Sequence, residues 1–139
     1  MRELTDKISE FNTDLIEKHH RFFKPWGWYE VINQGSGFVI KIIYVKPNSK
    51  LSYQSHMHRS EHWVVLKGKA KIRINNVNTY RNVGESIYIN AKDKHQLENS
   101  SAEDLFIIEI QMGHMLSEDD ITRYEDDYGR SSDNIAGKT

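Results

Sequence analysis

The sequence has no cysteine and only two prolines among its 139 residues. The first absence excludes disulfides and thiolate zinc sites, and it fits a reducing compartment such as the cytoplasm. No apolar run approaches the roughly 20 residues that a membrane-spanning helix needs, and the first residues lack the apolar core of a secretory signal. An excess of one charge is missing too. Nineteen Lys and Arg balance twenty Asp and Glu, for a formal charge of −1 and a pI near 6.7. No global field therefore favours nucleic acid or an anionic membrane, and neither is expected as a partner. The length suits one domain with a core of its own. No internal repeat is present.

What is present is mostly β texture. In residues 1–24, Leu4, Ile8, Phe11 and Leu15 recur at helical spacing with polar residues between them, which predicts a short amphipathic helical arm. Such an arm must bury its stripe, on its own barrel or on a second subunit, and a homodimer is expected. Pro25-Trp26-Gly27 ends the pattern. From there, strands are predicted at Trp28–Ile32, Phe38–Lys46, Leu51–His56, His62–Leu66, Lys69–Ile74, Ser86–Ile89, His95–Glu98 and Leu105–Gln111. Lys69 to Ile74 alternates cleanly, with cations outward and Ala70, Ile72 and Ile74 inward. Eight or so short strands at regular spacing predict an all-β sandwich or barrel over residues 25–130. The small, polar run 131–139 reads as a loose tail. The aromatic cluster Trp26, Trp28 and Tyr29 reads as packing rather than sugar stacking.

Histidine carries the chemistry. Gln54-Ser55-His56-Met57-His58-Arg59-Ser60-Glu61-His62 closes on Gly68, and Gly84, His95 and Asn99 follow. Neutral imidazole and carboxylate are the usual ligands of a borderline divalent metal. The spacing resembles the two motifs of the cupin superfamily, which implies a jelly-roll β-barrel with a metal inside. The second motif fits throughout, apart from Asn90 and Lys92 where cupins carry proline and glycine. The first has two registers. One takes His56 and His58 as its histidine pair but leaves Glu61 too close. The other puts Asn48, which tolerates a left-handed turn, in the glycine place. It then gives Gln54, His56, Glu61 and His95 as ligands, with His58 lining the site. The second register satisfies every interval and is preferred.

A narrower likeness covers Lys24 to Arg130. Lys24-Pro25-Trp26-Gly27, Leu51-Ser52-Tyr53-Gln54, His58-Arg59-Ser60-Glu61-His62-Trp63-Val64-Val65 and Lys94-His95-Gln96-Leu97-Glu98-Asn99 resemble the type II phosphomannose isomerases. So do Glu109-Ile110-Gln111, Glu118-Asp119-Asp120-Ile121 with Arg123, and Glu125-Asp126-Asp127-Tyr128-Gly129-Arg130. In that family this domain often follows a mannose-1-phosphate guanylyltransferase domain, in GDP-mannose and polysaccharide biosynthesis. The Gln-His-Glu-His set also resembles the zinc ligands of type I phosphomannose isomerases, which makes zinc the expected metal. The resemblance implies interconversion of mannose 6-phosphate and fructose 6-phosphate through an enediol, with a phosphorylated sugar as partner. A base must move the proton. His58, Glu109 and Lys94 are the candidates, Glu109 because a carboxylate interrupts an apolar strand there. Arg59, then Arg123 and Arg130, are the candidates for the phosphate, since a guanidinium forks onto its oxygens. The family usually has Arg where this chain has Gln96. A non-catalytic metal- or sugar-binding cupin is the alternative class, and an iron-dependent oxygen-using cupin the third.

Overall fold

A computed structural model describes residues 19–128, and they contain strands and turns but no helix. The strands are β1 (Arg21–Lys24), β2 (Gly27–Gly35), β3 (Phe38–Val45), β4 (Ser49–Lys50), β5 (Tyr53–Ser55), β6 (Arg59–Lys67), β7 (Ala70–Ile74), β8 (Val77–Arg81), β9 (Ser86–Ile89), β10 (His95–Asn99), β11 (Leu105–Gly113) and β12 (Thr122–Glu125). One sheet runs β1-β2-β3-β11-β6-β9, and the facing one runs β12-β5-β10-β7-β8 with β4 paired to β10. The predicted all-β barrel is what forms. The helical stripe of residues 4–15, Arg130 and the 131–139 tail lie outside the described residues.

Burial alternates along the long strands, as a half-buried antiparallel sheet requires. In β3, β6 and β11 every second residue is buried over most of the strand. Inward side chains from both sheets make the core: Trp26, Ile43, Val45, Trp63, Val65, Ala70, Ile72, Ile89, Leu97, Leu105 and Ile107. Turn chemistry sets the register. Asn75 and Asn76, at φ 46° and 67°, make the two-residue hairpin between β7 and β8 that such angles allow. Asn48 sits at φ 53°, the left-handed place assigned to it from spacing. Gly68 turns β6 into β7 at φ 87°, with the Asp104 carbonyl against the face where a Cβ would stand.

Several boundaries differ from expectation. Arg21–Lys24 belongs to the sheet, not to an arm, because its backbone pairs with Gly27–Glu30 across the Pro25-Trp26 turn. Polar β8 and β12 carry little hydrophobic signal and draw their order from pairing with β7 and β5. Of the predicted strand Leu51–His56 only β5, Tyr53–Ser55, forms, and the short β4 precedes it. Strand β6 begins at Arg59, three residues before the expected start, so Arg59 and Glu61 lie on a strand in the inward register. No helix among the described residues is long and apolar enough to cross a membrane.

Candidate metal centre and cleft

Three neighbouring strands change character along their inward face. On β11, Leu105 and Ile107 give way to Glu109 and Gln111. On β6, Val65 and Trp63 give way to Glu61 and Arg59, and on β3, Val45 and Ile43 give way to Lys41. The register aligns the change, because Glu109 stands between Lys41 and Trp63, and Gln111 beside Glu61. One end of the barrel is therefore closed by apolar side chains, and the other is a polar cleft of about 100 Å³, room for several waters. Glu118, Ile121 and Arg123 line the cleft from the C-terminal segment, and Lys24 from β1.

His56, Glu61 and His95 converge there, with donor atoms within 4.8 Å of one another. His56 Nε2 lies 3.2 Å from Glu61 Oε2, and His95 Nε2 lies 3.7 Å from Glu61 Oε1. Both rings are oriented from behind. His56 Nδ1 is 2.7 Å from the Asp120 carbonyl and His95 Nδ1 is 2.9 Å from the Asp93 carbonyl. Nδ1–H donation to those carbonyls turns each Nε2 toward Glu61, where it can donate to the carboxylate or, without its proton, offer a lone pair to a metal. Two imidazole lone pairs and a carboxylate aimed at one point form a donor set that can hold a divalent metal. Asp120 also anchors the segment itself, accepting from the backbone N–H groups of Met57 and His58 at 2.9 Å each. Gln54 lines the cleft and pairs with His95 across the sheet, and its amide nitrogen donates to Ser52.

Arg59 is inside this cluster. Its Nε donates to Glu61 Oε2 at 3.0 Å, and its Nη2 is 3.2 Å from His56 Nε2. It is buried, so the guanidinium is a structural counter-ion to Glu61 as well as a cation of the cleft. Burial alone would raise the Glu61 carboxyl, but the His56 hydrogen bond and the His95 and Arg59 charges hold it well below the ordinary carboxylate range. Burial depresses His95, against the pull of Glu61. Glu109 goes the other way. Burial first and the Glu61 charge second push it up to about 8, so it carries a proton at neutral pH. Its oxygens accept from Trp63 Nε1 at 3.0 Å and Gln111 Nε2 at 2.8 Å, and the same Trp63 N–H reaches Glu61 Oε1 at 3.0 Å. Burial, then Glu118 and Glu109, push the Tyr29 phenol up to about 12.

The cleft does not gather every predicted residue. His58 is exposed on the outer side of the turn after β5, where its ring packs against His114, because the backbone bends under Asp120 rather than continuing as a strand. Lys94 is exposed and lies over the Tyr124 ring, one residue from inward His95 and hence on the opposite face of β10. Neither lines the cleft, which corrects both as candidate bases. Gln96 is also outside it, donating to the Leu51 carbonyl at 2.9 Å, so the departure from Arg at that position does not reach the centre. Arg123 and Arg59 line the cleft. One residue unmarked by sequence joins them. Buried Lys41 donates to Glu118 at 3.0 Å and lies over the Tyr29 ring. The signal for Lys41 was there: a lone cation in the apolar run of β3, as Glu109 is in β11.

Known proteins share this sequence and fold. Mannose-1-phosphate guanylyltransferase ManC of Salmonella typhimurium is 40% identical over 94% of this chain and 27% of its own length. The alginate biosynthesis protein AlgA of Pseudomonas putida is 37% identical over 95% and 27%. The chain thus spans about a quarter of the length of these curated relatives. A sugar phosphate isomerase of the cupin superfamily from Silicibacter pomeroyi has the same fold, with a TM-score of 0.56, 14% identity and 73% of each chain covered. Residues 11–126 match the family described as mannose-6-phosphate isomerase C-terminal, and to that family, on a cupin barrel, this chain belongs.

Proposed function

We propose that this protein is a metal-dependent mannose-6-phosphate isomerase, interconverting mannose 6-phosphate and fructose 6-phosphate through an enediol. The observation that carries the reading is the placing of Glu109, a proton-holding carboxyl, beside the His56-Glu61-His95 donor set in a cleft lined by cations. The donor set fits a divalent ion, with Gln54 as fourth ligand and zinc the best match to nitrogen and oxygen donors. When bound, such an ion supplies a Lewis acid for the sugar carbonyl and a positive charge that draws the neighbouring carboxyl back toward ionisation. Glu109 then takes the proton from one of C1 and C2 and returns it to the other, held in place by Trp63 and Gln111. Gln111 Oε1, buried without a hydrogen-bond donor, accepts from a sugar hydroxyl. Lys24, Lys41, Arg59 and Arg123 give the cleft the positive character a dianionic phosphate requires. The relatives' names, guanylyltransferase and alginate biosynthesis, support a place in supplying mannose units for polysaccharide. A cysteine-free chain suits the reducing cytoplasm in which such a substrate would be met.

The test is turnover. Protein loaded with one divalent metal per chain should convert either sugar phosphate to the other and place deuterium at C1 or C2 in deuterated water. Chelation should abolish this. Glu109→Gln should retain metal and lose at least about 100-fold in rate, the usual worth of a proton-transfer group. A metal-loaded protein that turns over neither sugar would leave the non-catalytic binding module in its place.

A further inference from the structure

The outward face of the β1-β2-β3-β11-β6-β9 sheet is as apolar as its inward face. β3 presents Ile40, Ile42 and Tyr44 on the outside, and β11 presents Phe106, Ile108 and Ile110. The ladder puts Ile42 opposite Ile108 and Ile40 opposite Ile110, with Val64 of β6 beside Ile108, so the aliphatic side chains form one continuous patch. All are only half-buried among the described residues. Leu66, Tyr88 and Met112, on or bordering the same face, are 42%, 50% and 40% exposed. An antiparallel sheet with one solvated face normally alternates apolar with polar; strands apolar on both faces are those covered on both.

The chain enters the described structure on this face. The His19 N–H donates to the Val31 carbonyl at 2.8 Å, and His19 Nδ1 is 2.9 Å from Glu30 Oε2. Glu30 stands opposite Ile42, on the outside. Arg21 also reaches Glu30 and lies 4.0 Å above the outward Trp28 ring. His19, to which residues 1–18 are joined, thus sits beside the strand pair of Glu30 and Ile42, and residues 1–18 carry the stripe Leu4, Ile8, Phe11 and Leu15 at helical spacing. As a helix they would be about 27 Å long. Six strands at about 4.8 Å spacing make a sheet roughly 24 Å across, so the lengths match. Covalent attachment raises the local concentration of the stripe far above that of a second chain.

We propose that the outward face of this sheet is the docking surface for the chain's own residues 1–18, with Leu4, Ile8, Phe11 and Leu15 seated on Ile40, Ile42, Ile108 and Ile110. The segment is a cover for the back of the barrel, and through β11 and β6 it backs the strands that carry Glu109 and Glu61. The lack of native cysteine makes the test clean. In the full chain, a lone Ile42→Cys should be alkylated slowly, at a rate independent of protein concentration. Adding Phe11→Ser and Leu15→Ser should speed alkylation at least about tenfold. The pair Leu15→Cys with Ile42→Cys should oxidise to a disulfide within one chain, whereas Leu15→Cys with Val77→Cys, on the other sheet, should not. Protection that fades on dilution, or a disulfide joining two chains, would mean that a second copy covers the face and would overturn the proposal. Fast alkylation of Ile42→Cys in the otherwise unaltered chain would overturn it as well.

Discussion

The closed end and the open end of the barrel are built from the same three strands and differ only in what occupies the inward register. At the closed end, Ile43, Val65 and Ile107 meet in an apolar layer. Two residues further along each strand, Lys41, Trp63 and Glu109 stand side by side, with Glu61 and Gln111 beyond. The backbone is continuous, so the contrast isolates the side chains. Burial stabilises the first layer directly. In the second, burial penalises each charge and is offset only by partners: Arg59 and the histidines for Glu61, Glu118 for Lys41, a bound proton for Glu109. The closed end holds the barrel together. The open end is held in shape by it and is costly to disturb in a different way, through charge rather than through volume.

That contrast can be broken from either side. The largest effect expected is from Ile107→Ala, which leaves a cavity in the closed layer and should cost about 4 kcal/mol in urea unfolding. Metal stoichiometry should stay at that of the native chain, because no donor moves. If metal is lost in step with stability, the two ends are not separable.

Arg59→Ala should cost about 3 kcal/mol in metal-free protein, because it leaves buried Glu61 short of a cation. Arg59 thus supports the fold as well as lining the cleft. A divalent ion should repair the variant, returning about 2.7 kcal/mol at one hundred times its dissociation constant. The variant should also bind metal more tightly than the native chain, since no guanidinium has to leave His56 Nε2 and Glu61 Oε2. Calorimetric titration of the two proteins reads this directly. Weaker binding by Arg59→Ala would mean that the guanidinium holds Glu61 in place for the metal rather than competing with it.

The pH response sharpens the comparison further. Glu109 is raised to about 8, so the folded state keeps a proton that the unfolded chain releases near the ordinary carboxylate value. Its contribution is therefore full in acid and lost as pH rises through about 8. Glu61 is lowered, so its contribution is present above the ordinary range and lost as pH falls. In chelator, the native chain should lose about 2 kcal/mol between about pH 5 and pH 8, after solvent in the cleft has screened part of the interaction. Glu109→Gln, neutral throughout, should show none of this loss over that window, only the slight rise with pH that the depressed His95 gives. A native profile equally free of the loss would mean that Glu109 ionises freely in the fold.

Much of this was legible in the chain. Strand alternation gave the sheets, and local spacing gave His56, Glu61 and His95, because those residues lie on short, regular stretches whose geometry the intervals record. Glu109 was legible as a carboxylate in an apolar run. His58 and Lys94 were not, since each depends on which way one residue of a turn or strand faces. Asp120 orients His56 from a segment 64 residues away, and Glu118 pairs with Lys41 across 77 residues. Such contacts follow from how the C-terminal segment crosses the barrel mouth, which no local pattern encodes. β1 and β12 escaped for the same reason, being ordered by their partners more than by their own sequence.

The smallest effect expected concerns the seam between the two motifs. Lys92 stands where cupins carry glycine, and it adopts φ 74°, in the left-handed region. A residue with a Cβ pays about 1 kcal/mol there, which glycine does not. The conformation is nevertheless kept, because the Lys92 N–H donates to the His56 carbonyl at 2.7 Å, and Asp93 closes the turn by accepting from the Asn90 N–H and donating its own to the Asn90 carbonyl. The same turn supplies the Asp93 carbonyl that orients His95. The strain therefore sits where the second ligand segment is hydrogen-bonded to the first. Lys92→Gly should stabilise the fold by about 1 kcal/mol, offset in part by the extra freedom glycine brings to the unfolded chain, and should leave metal affinity unchanged. Thermal unfolding with and without metal checks both halves. A variant that is more stable yet binds metal less tightly would show that the strained turn tunes the open end, and that the division between the two ends of the barrel is less complete than the strands suggest.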